Sequence, residues 1–261
     1  MMPANGPGLM RGVEQTFSLA WRAIVQLKRN PWELGDYSFQ PILFLLLFVY
    51  IFGGAIAGST DDYLTFMLPG IVVMNMMFVT VYVGHGLNTD LTGGYFDRLR
   101  ALPVARWAPL AGRILADLVK QGWSIALLLG LGWLMGFRMD NDLWGLVGMV
   151  TLVLLFALAF SWVSVLVGVM ARDPEHVQLF GFTALFPITF VSNVFVPVET
   201  LPPWLQGVVM ANPVSVLTDA CRGLLLGGPW VGQALVTLAW AVALIAVFAP
   251  LSLRALRKRL K

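Results

Sequence analysis

Apolar residues fall into long blocks separated by sparse charged punctuation. Uncharged stretches run from Asp36 to Asp61, Asp62 to Asp90, Asp142 to Arg172, Glu175 to Glu199, and Arg222 to Arg254. A helix of about 20 mostly apolar residues crosses ~30 Å of hydrocarbon, so each stretch suits a membrane span. The gap from Lys120 to Arg138 is only 17 residues, about 25 Å at 1.5 Å per residue. Its helix is expected to begin earlier, near Gly112, with Lys120 snorkelling toward the interface. The pattern therefore predicts six spans, at 39–57, 64–85, 112–135, 143–170, 177–197 and 231–253.

Three further segments carry helical patterning without spanning. In the N-terminal stretch, Val13, Phe17, Ala20, Trp21, Ile24 and Leu27 recur at three- and four-residue steps. Arg11, Glu14, Arg22 and Arg29 occupy the other face, and Lys28 adds charge near the end. That is an amphipathic helix suited to lie in the interface plane, as a simple anchor or as one that also touches a cytoplasmic partner. Asn30-Pro31 ends it, because the residue before proline avoids the helical region.

The second is Gly93-Gly94-Tyr95-Phe96-Asp97-Arg98-Leu99-Arg100-Ala101-Leu102-Pro103. The glycines break one helix, Phe96, Leu99 and Leu102 form an apolar edge three residues apart, and Pro103 stops the turn. It reads either as a docking element or as a positively charged loop with an incidental turn.

The third, 197–230, is too long for a hairpin and too apolar for a solvated loop. Pro202-Pro203, Asn212-Pro213 and Gly227-Gly228-Pro229 divide it into two expected short helices, 203–211 and 214–226. They are expected to dip into the outer leaflet and shape a vestibule or gate.

Composition removes the soluble alternative. Hydrophobic residues make up 58% of the 261, mean hydropathy is +0.79, and only 12% are charged, against about 25% in an average soluble domain. Disorder is excluded by the same hydrophobicity. The single cysteine, Cys221, rules out a disulfide framework.

The charge that remains sets an expected orientation. Fourteen Lys and Arg residues fall before span 1, between spans 2 and 3, between spans 4 and 5, and in the tail from Arg254 to Lys261. The opposite loops hold two, Arg138 and Arg222. Basic residues favour the cytoplasmic side, so both termini are expected there. Trp133, Trp144, Trp204 and Trp230 then fall near the outer interface, as an aromatic belt. The basic pI of about 9.2 is read as a topology signal and not as nucleic-acid binding. The first ten residues lack the positive n-region of a signal peptide.

Catalytic motifs are missing. No G-x-x-x-x-G-K-[ST] occurs, and none of Lys28, Lys120, Lys258 and Lys261 follows a glycine. There is no G-x-S-x-G and no H-E-x-x-H. His85 and His176 are read as polar interface residues rather than metal ligands or proton relays. Arg113, Asp117 and Lys120 fit an intrahelical ion-pair ladder. Polar residues expected within the spans are mild: Asn75, Ser161, Ser164, Thr183, Thr189, Ser192 and Asn193. They suit helix–helix hydrogen bonds or the lining of a path for an amphipathic substrate, and so little internal charge disfavours passage of small ions.

Taken together, the chain resembles the membrane subunit of type-2 ABC exporters, particularly the daunorubicin-resistance-like drug exporters. The amphipathic entry helix, the 93–106 loop and the run Phe186-Pro187-Ile188-Thr189-Phe190-Val191-Ser192-Asn193-Val194-Phe195-Val196-Pro197 carry the likeness. It continues through Leu201-Pro202-Pro203-Trp204-Leu205, Asn212-Pro213 and Asp219-Ala220-Cys221-Arg222, and so covers nearly the whole chain.

The resemblance implies one ABC-2 type domain over 1–261, made of a connecting helix (8–30), a six-span bundle (39–253) and a basic cytoplasmic tail (254–261). It implies residence in the plasma (inner) membrane, two membrane subunits (a second copy or a related permease) and two cytosolic ATPase subunits. ATP and Mg would be bound by those partners, and no cofactor by this chain. Tyr95, Phe96, Asp97, Arg98, Leu99, Arg100, Ala101 and Pro103 would form the coupling helix, and Phe17, Trp21, Arg22, Lys28 and Arg29 would belong to the connecting helix. Cargo in such families includes drugs, lipids and polysaccharides. A hydrophobic or amphipathic cargo is the first expectation, with polysaccharide or glycolipid export, or a non-transporting scaffold, as alternatives.

Overall fold

The computed structural model describes residues 31–94 and 108–259, and these are helical with no strand. Helix α1 (Pro31–Leu47) passes through a π-helical turn (Phe48–Phe52) into the short α2 (Gly53–Ala57). Then come α3 (Thr60–Thr92), α4 (Ala108–Leu134), α5 (Leu143–Met170) and α6 (Pro174–Phe190). A 3-10 turn (Val198–Thr200) leads to α7 (Pro203–Ala211), α8 (Pro213–Leu226) and α9 (Val231–Arg259).

Five stretches are long and apolar enough to cross a membrane: Ser38–Ile56, Thr60–Thr92, Ala111–Leu134, Leu143–Met170 and Val231–Arg259. The sequence pattern predicts six. The expected span at 177–197 is helical only to Phe190, and α6 has 17 residues. The cause is local. In a continuing helix the Thr189 carbonyl would accept from the Asn193 N–H. The Ser192 hydroxyl donates to that carbonyl instead, and the Asn193 N–H goes to Ser215 Oγ at 3.1 Å. Short polar side chains offer the backbone such alternatives to the helical ladder.

α3 is the central helix. In its most apolar window 89% of residues are buried, against 17% for α9. It packs on α1, α4, α5, α6 and α8, whereas α9 packs chiefly on α5 and α8. An apolar residue on every side is what such a central position requires.

The α3–α5 seam is closed by two glycines. A Cβ at Gly84 would run into the Ser164 carbonyl, and one at Gly168 into the carbonyl of Gly84. Lipid tails are as apolar as leucine, so helices associate through such close backbone packing and through hydrogen bonds. Asn88 supplies the bonds, donating to the carbonyls of Gly168 at 2.8 Å and Ala171 at 2.9 Å. Arg259, at the end of α9, donates to the same group of carbonyls, reaching Ala171 at 2.8 Å and also Val169. The C-terminal carbonyls of α5, which have no partner in their own helix, are thus capped by α3 and α9. α9 therefore continues as helix into the stretch read as a basic tail.

Asp117 and Lys120 pair at 3.5 Å. Arg113, expected on the same ladder, reaches across to Asp90 of α3. The helix preceding the Gly93-Gly94 break ends as the sequence suggests: Gly93 donates to Thr89 O at 2.8 Å, and Gly94 has φ of 71°. The connecting-helix residues (Phe17, Trp21, Arg22, Lys28, Arg29) and the coupling residues from Tyr95 to Pro103 lie outside the described residues.

Candidate functional site

The non-helical run after α6 is the most heavily buttressed stretch of backbone in the bundle. Val194 is fully buried, and Asn193 and Phe195 are nearly so. Bare carbonyls at such depth need partners inside the protein. Arg222 of α8 provides two of them and also reaches α3. Its Nη2 donates to Asn193 O at 2.8 Å and Val194 O at 3.4 Å, and its Nε donates to Phe66 O at 3.0 Å.

The guanidinium lies over the Phe66 ring at 3.8 Å and meets Asp219 Oδ1 at 3.3 Å. The Asn193 amide donates to the same carboxylate oxygen at 2.6 Å. Tyr63 donates to Phe195 O at 3.1 Å, and Asn212 donates to Ile188 O at 2.7 Å and Val191 O at 2.6 Å. Asn212 also caps α8, accepting from the Val214 N–H at 2.9 Å. One asparagine therefore joins the end of α6 to the start of α8.

Shape completes the clamp. A Cβ on Gly70 would stand 2.9 Å from Val194 O, so only glycine lets α3 approach the crossing backbone this closely.

Beside the clamp runs a lane of phenylalanine rings. Phe44 and Phe48 have centroids 5.9 Å apart, Phe48 and Phe195 4.8 Å, Phe195 and Phe190 4.7 Å, and Phe190 and Phe186 4.2 Å. Phe186 is 53% exposed and Phe190 40%, so the far end of the lane is open. Phe195 ties the two features together: its ring is in the lane and its carbonyl is held by Tyr63.

The polar residues singled out in the sequence separate into distinct roles. Asn75 donates to Ser124 Oγ at 2.8 Å across the α3–α4 contact. Ser161 is satisfied within its own helix, donating to Ala157 O at 2.7 Å. Ser164 is buried and contributes the carbonyl that Gly84 abuts. Thr183 is on the exposed side of α6, and Thr189 is fully buried at its end. Ser192 and Asn193 belong to the clamp. These seven do not line a single surface.

Sequence reasoning missed Arg222, Asp219, Asn212, Ser215 and Tyr63 as a unit. The charge pattern places Arg222 in an outer loop, whereas the structure puts it on α8 with its side chain largely buried. The signals in the sequence are the i, i+3 spacing of Asp219 and Arg222 on an apolar helix beside the Asn-Pro break, and the place of both stretches in the family resemblance. At the opposite end of the bundle Asp173 caps α6. The main-chain N–H of His176 bonds its carboxylate at 2.9 Å, and with the ring contact at 2.6 Å this holds the carboxyl below the usual carboxylate range.

Comparison with known proteins agrees with this architecture. The ABC-2 type transporter family matches residues 14–226. The daunorubicin resistance ABC transporter permease protein DrrB1 of Streptomyces coeruleorubidus is 40% identical over 253 residues, covering 97% of this chain and 89% of that protein. A probable doxorubicin resistance ABC transporter permease protein, DrrC of Mycobacterium tuberculosis, is 28% identical, covering 95% of this chain and 92% of its own. The putative transport permease ycf38 of Cyanophora paradoxa is 26% identical over 84% of this chain and 76% of its own. The chain belongs to the ABC-2 type transporter family, as a multi-pass membrane permease subunit that works with an ABC ATPase partner.

Proposed function

We propose that this permease exports a hydrophobic or amphipathic cargo, of the drug or lipid class, out of the cytoplasm or the inner leaflet. The observation that carries this reading is the phenylalanine lane from Phe44 to Phe186, open at Phe186 and Phe190. Offset aromatic contacts favour planar apolar rings. A polysaccharide can also stack its sugar faces on aromatic rings, but its hydroxyls need donors and acceptors beside them, which phenylalanine lacks. The daunorubicin and doxorubicin in the relatives' names belong to the same planar, amphipathic class.

In this reading α6 is a sixth span. Its 17 residues cover about 25 Å, and the non-helical residues after it supply the remaining depth. Helices α7 and α8 are the outer re-entrant pair, both termini are cytoplasmic, and two permeases, of the same or a related chain, face each other. Two ATPase subunits bind ATP and Mg and dock on Tyr95 to Pro103 and on the 8–30 helix. Nucleotide then biases a two-state equilibrium of the bundle.

The test is reconstitution with the cognate ATPase against a panel of amphipathic drugs, lipids and oligosaccharides. Drug- or lipid-stimulated ATP hydrolysis is expected, at least about tenfold weaker coupled in Asp97→Arg or Arg100→Glu, a change of about 1.4 kcal/mol. Stimulation by oligosaccharides alone would remove the cargo assignment. Unchanged coupling in both variants would remove the docking role from the loop.

A further inference from the structure

The outward side of α9 ends in charge that the ion pairs and hydrogen bonds of the bundle do not absorb. Its inward face is well occupied. Ser252 donates to Trp162 O at 3.0 Å, Leu256 is buried against Val83, Leu87 and Val169, and Arg259 is on the α5 carbonyls. These three, at i, i+4 and i+7, pin the last two turns to the bundle. The opposite face is exposed along Val236, Ala243, Val247 and Pro250, and the same stripe runs on into Arg254 and Arg257, both exposed.

The stripe is thus apolar for several turns and then abruptly cationic. The 29 residues of α9 extend about 43 Å, more than a ~30 Å hydrocarbon core. The final turns therefore stand at headgroup level. A ligand matching this face has acyl chains above and a phosphate below, and among the described residues no carboxylate pairs with Arg254 or Arg257. Basic residues flanking a span attract anionic lipid, and here the attachment of Arg259 and Leu256 holds the pair in a fixed orientation.

We propose that Arg254 and Arg257 form an anionic-phospholipid site, with the acyl chains along the exposed α9 stripe and the phosphate between the two guanidinium groups. Arginine suits this task because its planar fork meets phosphate oxygens with two donors at once. The site does not depend on which way the chain is inserted.

The test uses the purified full chain in detergent micelles, titrated with phosphatidylglycerol, phosphatidylcholine or soluble glycerol phosphate while thermal melting is followed. Native mass spectrometry counts retained lipid. Phosphatidylglycerol is expected to raise the melting temperature of the wild type by several degrees beyond phosphatidylcholine and to remain bound. Arg254→Gln/Arg257→Gln is expected to lose more than half of that shift and the retained lipid. Arg254→Lys/Arg257→Lys, which preserves charge and insertion but not the fork, is expected to keep only part of it, and Arg138→Gln, at the other end of the bundle, most of it. An equal shift in the glutamine double variant would overturn the site. So would an equal shift from glycerol phosphate, since acyl contact would then play no part. Loss of ATPase-partner binding by that variant in purely phosphatidylcholine bilayers would assign the arginines to the protein partner instead.

Discussion

Arg222 donates to the main-chain oxygen of Asn193 at 2.8 Å, while the Asn193 side chain donates to Asp219, the ion-pair partner of Arg222, at 2.6 Å. The three residues close a loop that joins α8 to the unwound backbone after α6. Removing the arginine leaves the Phe66, Asn193 and Val194 carbonyls without this donor and Asp219 without its cation. The pair is only part-buried, so the loss comes mainly from the buried carbonyls left without a donor, at about 1–3 kcal/mol. Arg222→Met is therefore expected to melt at a clearly lower temperature in detergent than the wild type. Arg222→Lys is expected to recover only part of the loss, because an ammonium cannot match the fork geometry. Wild-type melting in Arg222→Met would show that the clamp is not a stabilising element.

The α3–α5 seam makes a second prediction. Gly84→Leu or Gly168→Leu forces a side chain into backbone oxygens that cannot give way, at about 1–3 kcal/mol or more. Gly122 lies on a helix with nothing within 4 Å of an added Cβ, so Gly122→Ala is expected to be neutral or to stabilise by up to ~1 kcal/mol. Thermal melting of the three variants side by side separates close packing from glycine content.

The α6 cap predicts a pH dependence. Asp173 has its carboxyl held below the usual range by the His176 N–H and ring. A depressed carboxylate stabilises the fold above its ordinary titration range, and that contribution disappears as pH falls through the lowered value. Asp173→Asn keeps a capping oxygen without the charge. Its melting temperature is expected to fall less than that of the wild type as pH drops below about 4. Parallel acid profiles of the two proteins would remove the charge from the account of this cap.

The open end of the phenylalanine lane predicts a functional effect with little structural cost. Phe186 and Phe190 are 53% and 40% exposed, so Phe186→Ala/Phe190→Ala is expected to retain most of its stability. Stimulation by planar aromatic cargo is expected to drop about tenfold, the effect of ~1.4 kcal/mol from two lost ring contacts. An equal drop for every stimulating compound would point to a structural role instead.

Sidedness is testable by cysteine labelling with a membrane-impermeant probe. Cys221 is fully buried, so the folded wild type is expected to stay unlabelled and to provide a clean background. Cysteines introduced near residues 60 and 200 are expected to react from outside, and those near 100 and 258 only after permeabilisation. Outside labelling near 100 would reverse the orientation.

The spacing of charges along the chain was enough to locate the long helices, because expelling charge from hydrocarbon is a local requirement that each segment meets by itself. The match is close at Leu143–Met170, where Asp142 caps the helix through the N–H groups of Trp144 and Gly145 at 3.1 Å. The two prolines at 203 and 213 likewise mark the starts of α7 and α8. The premature end of α6 was not legible in the same way. Apolar residues continue through Phe195 and Val196, and the backbone leaves the helix because Ser215, Arg222, Asn212 and Tyr63, distant in sequence, satisfy the groups it exposes. The phenylalanine lane and the pairing of Arg113 with Asp90 depended equally on which helix faces which. Hydrophobicity alone determined that this chain is a membrane helical bundle. Only tertiary packing decided where its backbone opens and which residues hold it there, because a hydrogen-bond partner is chosen by proximity in space and not by position along the chain.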